Sequence, residues 1–169
     1  YNKFGQLHGA DSPPIVLTSY LKGNVERSDY IYANNELKSR IDIRYDRKNR
    51  EVEFIGYNSN LEVRSTHLTE YDDTNYVMTK RYYNKDGELQ KNSCGVAVKS
   101  KKFKSADMSI LIEERFMDEN LSLVDCQHSE RVMYSVVEYD FEPNSNNLTI
   151  HYINSKGDQV QSIKTKTAD

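Results

Sequence analysis

The stretch from Arg40 to Tyr57, RIDIRYDRKNREVEFIGY, decides the reading of the chain. In its first half Ile41, Ile43 and Tyr45 alternate with Asp42 and Arg44, and the second half repeats the pattern with Val52 and Phe54. Successive side chains of a strand point to opposite faces, so a period of two gives one apolar face and one polar face. Lys48-Asn49 lies between the halves, and asparagine tolerates the left-handed backbone that tight turns require. The stretch is predicted to be a β-hairpin.

Working outward, the same alternation recurs in SILIEERF (Ile110, Ile112, Phe116), RVMYSVVEY (Val132, Tyr134, Val136) and LTIHYI (Leu148, Ile150, Tyr152). Turn formers separate the runs, among them Asn58-Ser59-Asn60, Lys85-Asp86-Gly87, Asp118-Glu119-Asn120 and Ser155-Lys156-Gly157. No segment keeps a helical period over three turns; SADMSILIEERFMDENL carries a helix-start residue yet reads as β alternation. The prediction is an all-β, antiparallel up-and-down meander of about nine to twelve strands. Its apolar face must be covered, by rolling into a barrel or half-barrel, by folding into a sandwich, or by a partner.

Composition narrows the class. The chain has 169 residues, 37% of them apolar even with tyrosine counted, and its aromatic set is skewed to 13 Tyr with no Trp. A thin or aromatic core follows, in a single repeat-built domain spanning 1–169 that leaves room for a weak subdivision near 99–108, where the register weakens. A net charge of -3 gives no electrostatic case for nucleic acid or a membrane surface. The basic run KSKKFK, Lys99 to Lys104, reads as a solvated turn at the end of a hairpin. No apolar run is long enough to span a membrane. The start at Tyr1, without Met or signal peptide, implies a segment processed or excised from a longer precursor.

Tyrosines mark a repeat. Tyr20, Tyr32, Tyr45, Tyr57, Tyr71 and Tyr83 fall 12 to 14 residues apart, each followed by a turn and an extended run. YNKFGQL at the start, YNKDGEL from Tyr83 and YINSKGDQV from Tyr152 share a Tyr–Gly spacing or its one-residue extension. Similar supersecondary units are therefore set side by side. Stretches such as SYLKGNVERSDYIYANNEL, EYDDTNYVMTKRYYNKDGEL and EYDFEPNSNNLTIHYINSKGDQV resemble degenerate units of bacterial YD (tyrosine-aspartate) and MORN-type β-hairpin repeats, including those of YwqK-type antitoxin-like proteins. The resemblance implies adjacent antiparallel hairpins serving as scaffolds, shells or partner-binding surfaces without catalysis. The sequence departs from the pattern where Asn replaces the turn glycine, and where no Asp follows Tyr20 or Tyr32.

No catalytic residue, no metal site and no cofactor is expected from the sequence. Gly-x-Ser-x-Gly, GxxxxGK[ST] and GxGxxG are absent. Cys126-Gln-His128 offers too few ligands for a structural zinc. Glu113 and Glu114 are adjacent, so on a strand they face opposite sides and cannot act as a pair. His151, between Ile150 and Tyr152, belongs to the solvated face. Cys94 and Cys126 fit one disulfide or two free thiols equally well. The glycosylation tripeptides Asn120-Leu-Ser and Asn147-Leu-Thr are what chance supplies in a chain with 15 Asn.

The leading expectation is a non-enzymatic protein-interaction or scaffold module, secreted or surface-associated in a bacterium. Its candidate interaction face is the tyrosine set Tyr32, Tyr45, Tyr57, Tyr71 and Tyr83, and its partner is a protein. One alternative is a lipocalin-like barrel carrying a small apolar ligand, although the Gly-x-Trp of that group is missing. Another is an immunity or antitoxin-like protein, suggested by the repeat resemblance.

Overall fold

The computed structural model describes the backbone of residues 15–31, 36–129, 132–142 and 147–166, and the side chains of those spans except 15–22 and 127–129. Thirteen strands run through the described residues: β1 Ile15–Lys22, β2 Val25–Ile31, β3 Leu37–Tyr45, β4 Glu51–Tyr57, β5 Val63–Asp72, β6 Val77–Asn84, β7 Val98–Phe103, β8 Leu111–Met117, β9 Cys126–Ser129, β10 Val132–Tyr134, β11 Val136–Glu142, β12 Asn147–Ile153 and β13 Gln159–Lys166. Eleven form one antiparallel sheet whose order follows the chain from β1 to β8 and continues through β11, β12 and β13. The hairpin β9–β10 forms a separate two-stranded sheet.

The meander is as expected, and of the ways left open for covering its apolar face a closed barrel is removed. Closure would require β1 to pair with β13, and these two strands stand at opposite ends of the order. The run RVMYSVVEY is also not one strand, because the chain leaves β10 at Tyr134 and joins the large sheet at Val136. Ser135 makes the switch, fully buried, with its N–H donating to Ile153 O and its carbonyl accepting from Phe116 N–H. Its hydroxyl has no partner among the described residues.

One local device recurs in six turns among the described residues. In each, an Asn or Asp side-chain Oδ1 accepts the backbone N–H groups two and four residues on. The acceptors are Asp46, Asn58, Asn84, Asn92, Asp118 and Asn154, at 2.8 to 3.0 Å. The same residue's carbonyl accepts from the N–H three residues on, and its own N–H donates to the carbonyl four residues on. That three-residue loop requires a left-handed residue at its third position. Asn49, Gly87, Gly95 and Gly157 supply it, as do Leu61 (φ 62) and Leu121 (φ 64). The N–H of Arg50, bonded to the Asp46 carboxylate, holds that group below the usual carboxylate range.

The chain divides into two compact units. The first holds the described residues through Thr69 together with Tyr83–Glu88; the second holds Glu70–Tyr82 and the described residues from Leu89 onward. The segment 99–108 lies inside the second.

In the first unit, register places Ile43, Phe54 and His67 side by side across β3, β4 and β5. The Phe54 and His67 rings stack at 4.8 Å. Beside it, a Cβ at Gly56 would meet Phe54 Cε1 in ordinary contact at 3.5 Å but crowd Ser65 Oγ of β5 at 3.3 Å.

The second unit buries Val96, Phe116, Cys126 and Val137, with Val124, Tyr134, Tyr139, Ile150 and Tyr152 packed against them. Hairpin β9–β10 lays Tyr134 over Phe116, edge to face at 6.0 Å, and against Tyr152 at 4.8 Å. Cys94 and Cys126 are joined by a disulfide, Cα to Cα 5.1 Å. It ties the Asn92 turn to β9 within the core. Here the hairpin and its connections cover the apolar face, a task that closure performs in a barrel.

Candidate binding face

In the first unit, the polar positions of β2, β3 and β4 face away from Phe54 and His67. Arg27 lies opposite Asp42, Asp29 opposite Arg40, and Arg44 opposite Glu53. Directly opposed residues share a face with Cβ atoms about 5 Å apart, so each pair closes as an ion pair. Arg27 binds both Asp42 oxygens at 2.6 Å, Arg40 binds Asp29 at 2.6 and 3.0 Å, and Arg44 reaches Glu53 at 3.2 Å. The hydrogen bond from Arg40 holds the Asp29 carboxyl below its ordinary range, and the reciprocal bond raises Arg40.

Tyr57 lies opposite Arg40 on this face. With Val25, Ile55 and the Arg27, Asp42, Arg44 and Glu53 side chains it lines a hollow of about 260 Å³. Burial, and then the neighbouring Asp42 carboxylate, raise the Tyr57 hydroxyl pKa. A second hollow of about 460 Å³ begins at the same Glu53 and is lined by Val63, Thr66, Leu68, Tyr83 and the Asn84 turn. The two hollows share Glu53, so matched charge passes into an apolar stretch flanked by tyrosines.

The predicted tyrosine face is thus only partly assembled. Tyr57 and Tyr83 line this one surface of the first unit. Tyr45 is on the other side, because it is an odd number of residues from Arg40, the residue opposite Tyr57. Its hydroxyl donates to Glu26 at 2.9 Å, which raises its pKa. Tyr71 lies on the part of β5 that belongs to the second unit. Tyr32 falls outside the described residues. An even spacing in sequence does not preserve a face when each turn and bulge resets the alternation.

The second unit carries a polar row that sequence reasoning missed. Lys102, Glu113, Glu138, His151 and Ser162 are successive cross-strand neighbours on β7, β8, β11, β12 and β13. Glu113 and Glu114 do face opposite sides, but Glu113 meets Glu138 because excursion β9–β10 makes β8 and β11 neighbours. Arg115 offsets that like-charge pair by binding both oxygens of Glu113 at 2.8 and 2.9 Å. No local signal announces the row; it depends on the pairing of strands separated by the hairpin. His151 accordingly sits among polar neighbours, with Nδ1 2.9 Å from Gln159 Oε1.

The basic run is corrected as well. Most of KSKKFK is strand β7, paired on both sides. Lys101 forms an ion pair with Glu114 at 3.3 Å, and Lys99 lies 5.1 Å from the centre of the Phe116 ring. The acidic strand β8 provides the partners that a solvated turn would not need.

Among the described residues, no three His, Cys, Asp or Glu side chains come together as a metal cage, and no helix is long and apolar enough to cross a membrane. The chain matches no protein-family model, no curated protein and no solved structure.

Proposed function

We propose that this chain is a non-enzymatic protein-interaction module that binds a protein through the Tyr57–Tyr83 face of its first unit. The observation that carries the reading is the make-up of that face: two tyrosines and the apolar Ile55, Val63 and Leu68 beside charges already neutralised in pairs. A partner that covers such a surface buries paired rather than lone charges, which lowers the desolvation cost of docking. Tyrosine rings add large contact area at little cost in side-chain entropy. The Cys94–Cys126 disulfide supports a secreted or cell-surface location, since such bonds persist in oxidising compartments.

The test is capture of a partner from the native source by wild type, followed by affinity measurement with Tyr57→Ala, Tyr83→Ala and Arg44→Glu. Each change is expected to weaken binding by about tenfold or more, in the range of a central contact residue. Glu138→Gln, in the second unit, should leave it unchanged. Undiminished binding by all three face variants would remove this reading.

A further inference from the structure

We infer that Asn120 is an acceptor for an asparagine-linked glycan, transferred from a lipid-diphosphate oligosaccharide donor. The transfer needs an asparagine amide and a hydroxyl two residues on. Two segments of the chain meet that requirement, Asn120-Leu121-Ser122 and Asn147-Leu148-Thr149, and the structure separates them.

Asn120, Leu121 and Ser122 are all exposed in the turn that follows β8. Asp118 Oδ1 accepts the backbone N–H groups of both Asn120 and Ser122, at 2.8 and 2.9 Å. The backbone is thereby fixed, while neither the Asn120 amide nor the Ser122 hydroxyl has a hydrogen-bond partner among the described residues. Leu121 between them adopts φ 64 and is 56% exposed. An apolar side chain left in water at a strained position is one that an attached sugar would shield.

Asn147 is the opposite case. It is half-buried at the start of β12, paired with Glu142 on one side and Lys166 on the other. Its Nδ2 already donates to Glu142 Oε2 at 3.0 Å. A glycan there would have to be accommodated inside a three-strand array, whereas one on Asn120 extends into solvent. The Cys94–Cys126 bond is an independent observation: disulfides form in oxidising compartments, and the secretory lumen in which asparagine glycosylation takes place is one of them.

In the transfer, Asn120 Nδ2 forms a bond to the anomeric carbon as the bond from that carbon to the diphosphate oxygen breaks. The lipid diphosphate leaves with the bonding pair, and the proton lost from Nδ2 passes to solvent. No oxidation or reduction occurs.

The experiment is expression of the full chain through a eukaryotic secretory pathway, with intact mass and peptide mapping on the recovered protein, secreted or retained. Wild type, Ser122→Thr and Asn147→Gln should carry the glycan on Asn120. Asn120→Gln and Ser122→Ala should lose it. Amidase treatment should remove the sugar and leave aspartate at position 120. Disulfide-bonded wild type with Asn120 unmodified, or with sugar on Asn147 alone, would overturn the inference. Because Ser122→Ala keeps Asn120 itself, it gives the same answer should Asn120→Gln misfold.

Discussion

At the scale of single residues, the six related turns differ most at their left-handed position. Three use glycine and one asparagine, residues that accept positive φ at small cost, but Leu61 and Leu121 carry a Cβ there. Both leucines are also exposed, at 47% and 56%, so packing does not repay the conformation. Leu61→Gly and Leu121→Gly should each stabilise the chain by about 0.5–1 kcal/mol, the left-handed penalty being partly offset by glycine's greater freedom when unfolded. Urea unfolding would read this as a higher midpoint at unchanged slope; a lower midpoint would show that the leucines make stabilising contacts. The Asn or Asp that accepts the turn amides was legible in the sequence as a turn former. Its reach to the N–H four residues on was not, because that bond forms only once the flanking strands pair.

At the scale of elements, the decisive one is hairpin β9–β10, which leaves the sheet and lays Tyr134 on Phe116 and Tyr152. Burial there, with smaller contributions from Tyr152 and Glu114, pushes the Tyr134 hydroxyl up to about 12 from an ordinary 10.0. The raised value means the folded state holds the proton after the unfolded state has begun to lose it. This contribution to stability is complete below pH 10 and is lost as pH rises from 10 to about 12. Absorbance titration of the tyrosines should show a late-ionising group that Tyr134→Phe abolishes; an unchanged profile in that variant would contradict the packing. Strand β7 makes a related point. Its lysines read as a solvated run until β8 is set beside it and Glu114 and Phe116 become their partners.

At the scale of the whole molecule, the two units secure themselves by different means. The first relies on paired charges and half-buried aromatic rings, the second on a small core closed by the Cys94–Cys126 bond. With a sequence separation of 32, removing that bond should cost about 3–4 kcal/mol by loop-closure entropy. A Cys94→Ala, Cys126→Ala double variant should therefore lose amide protection first in β8 to β11, with β2 to β4 little affected, as hydrogen exchange would show. Uniform loss across both groups would mean that the molecule opens as one cooperative body.

The sequence by itself determined the all-β class, the strand runs and the positions of most turns. Period-two alternation and turn chemistry are local properties, set by each residue and its near neighbours. Only the tertiary structure decided which tyrosines share a face, that Glu113 meets Glu138, that RVMYSVVEY breaks at Ser135, and that the two cysteines are bonded. Each of these depends on register between strands distant in sequence, where a shift of one residue turns every side chain to the other face.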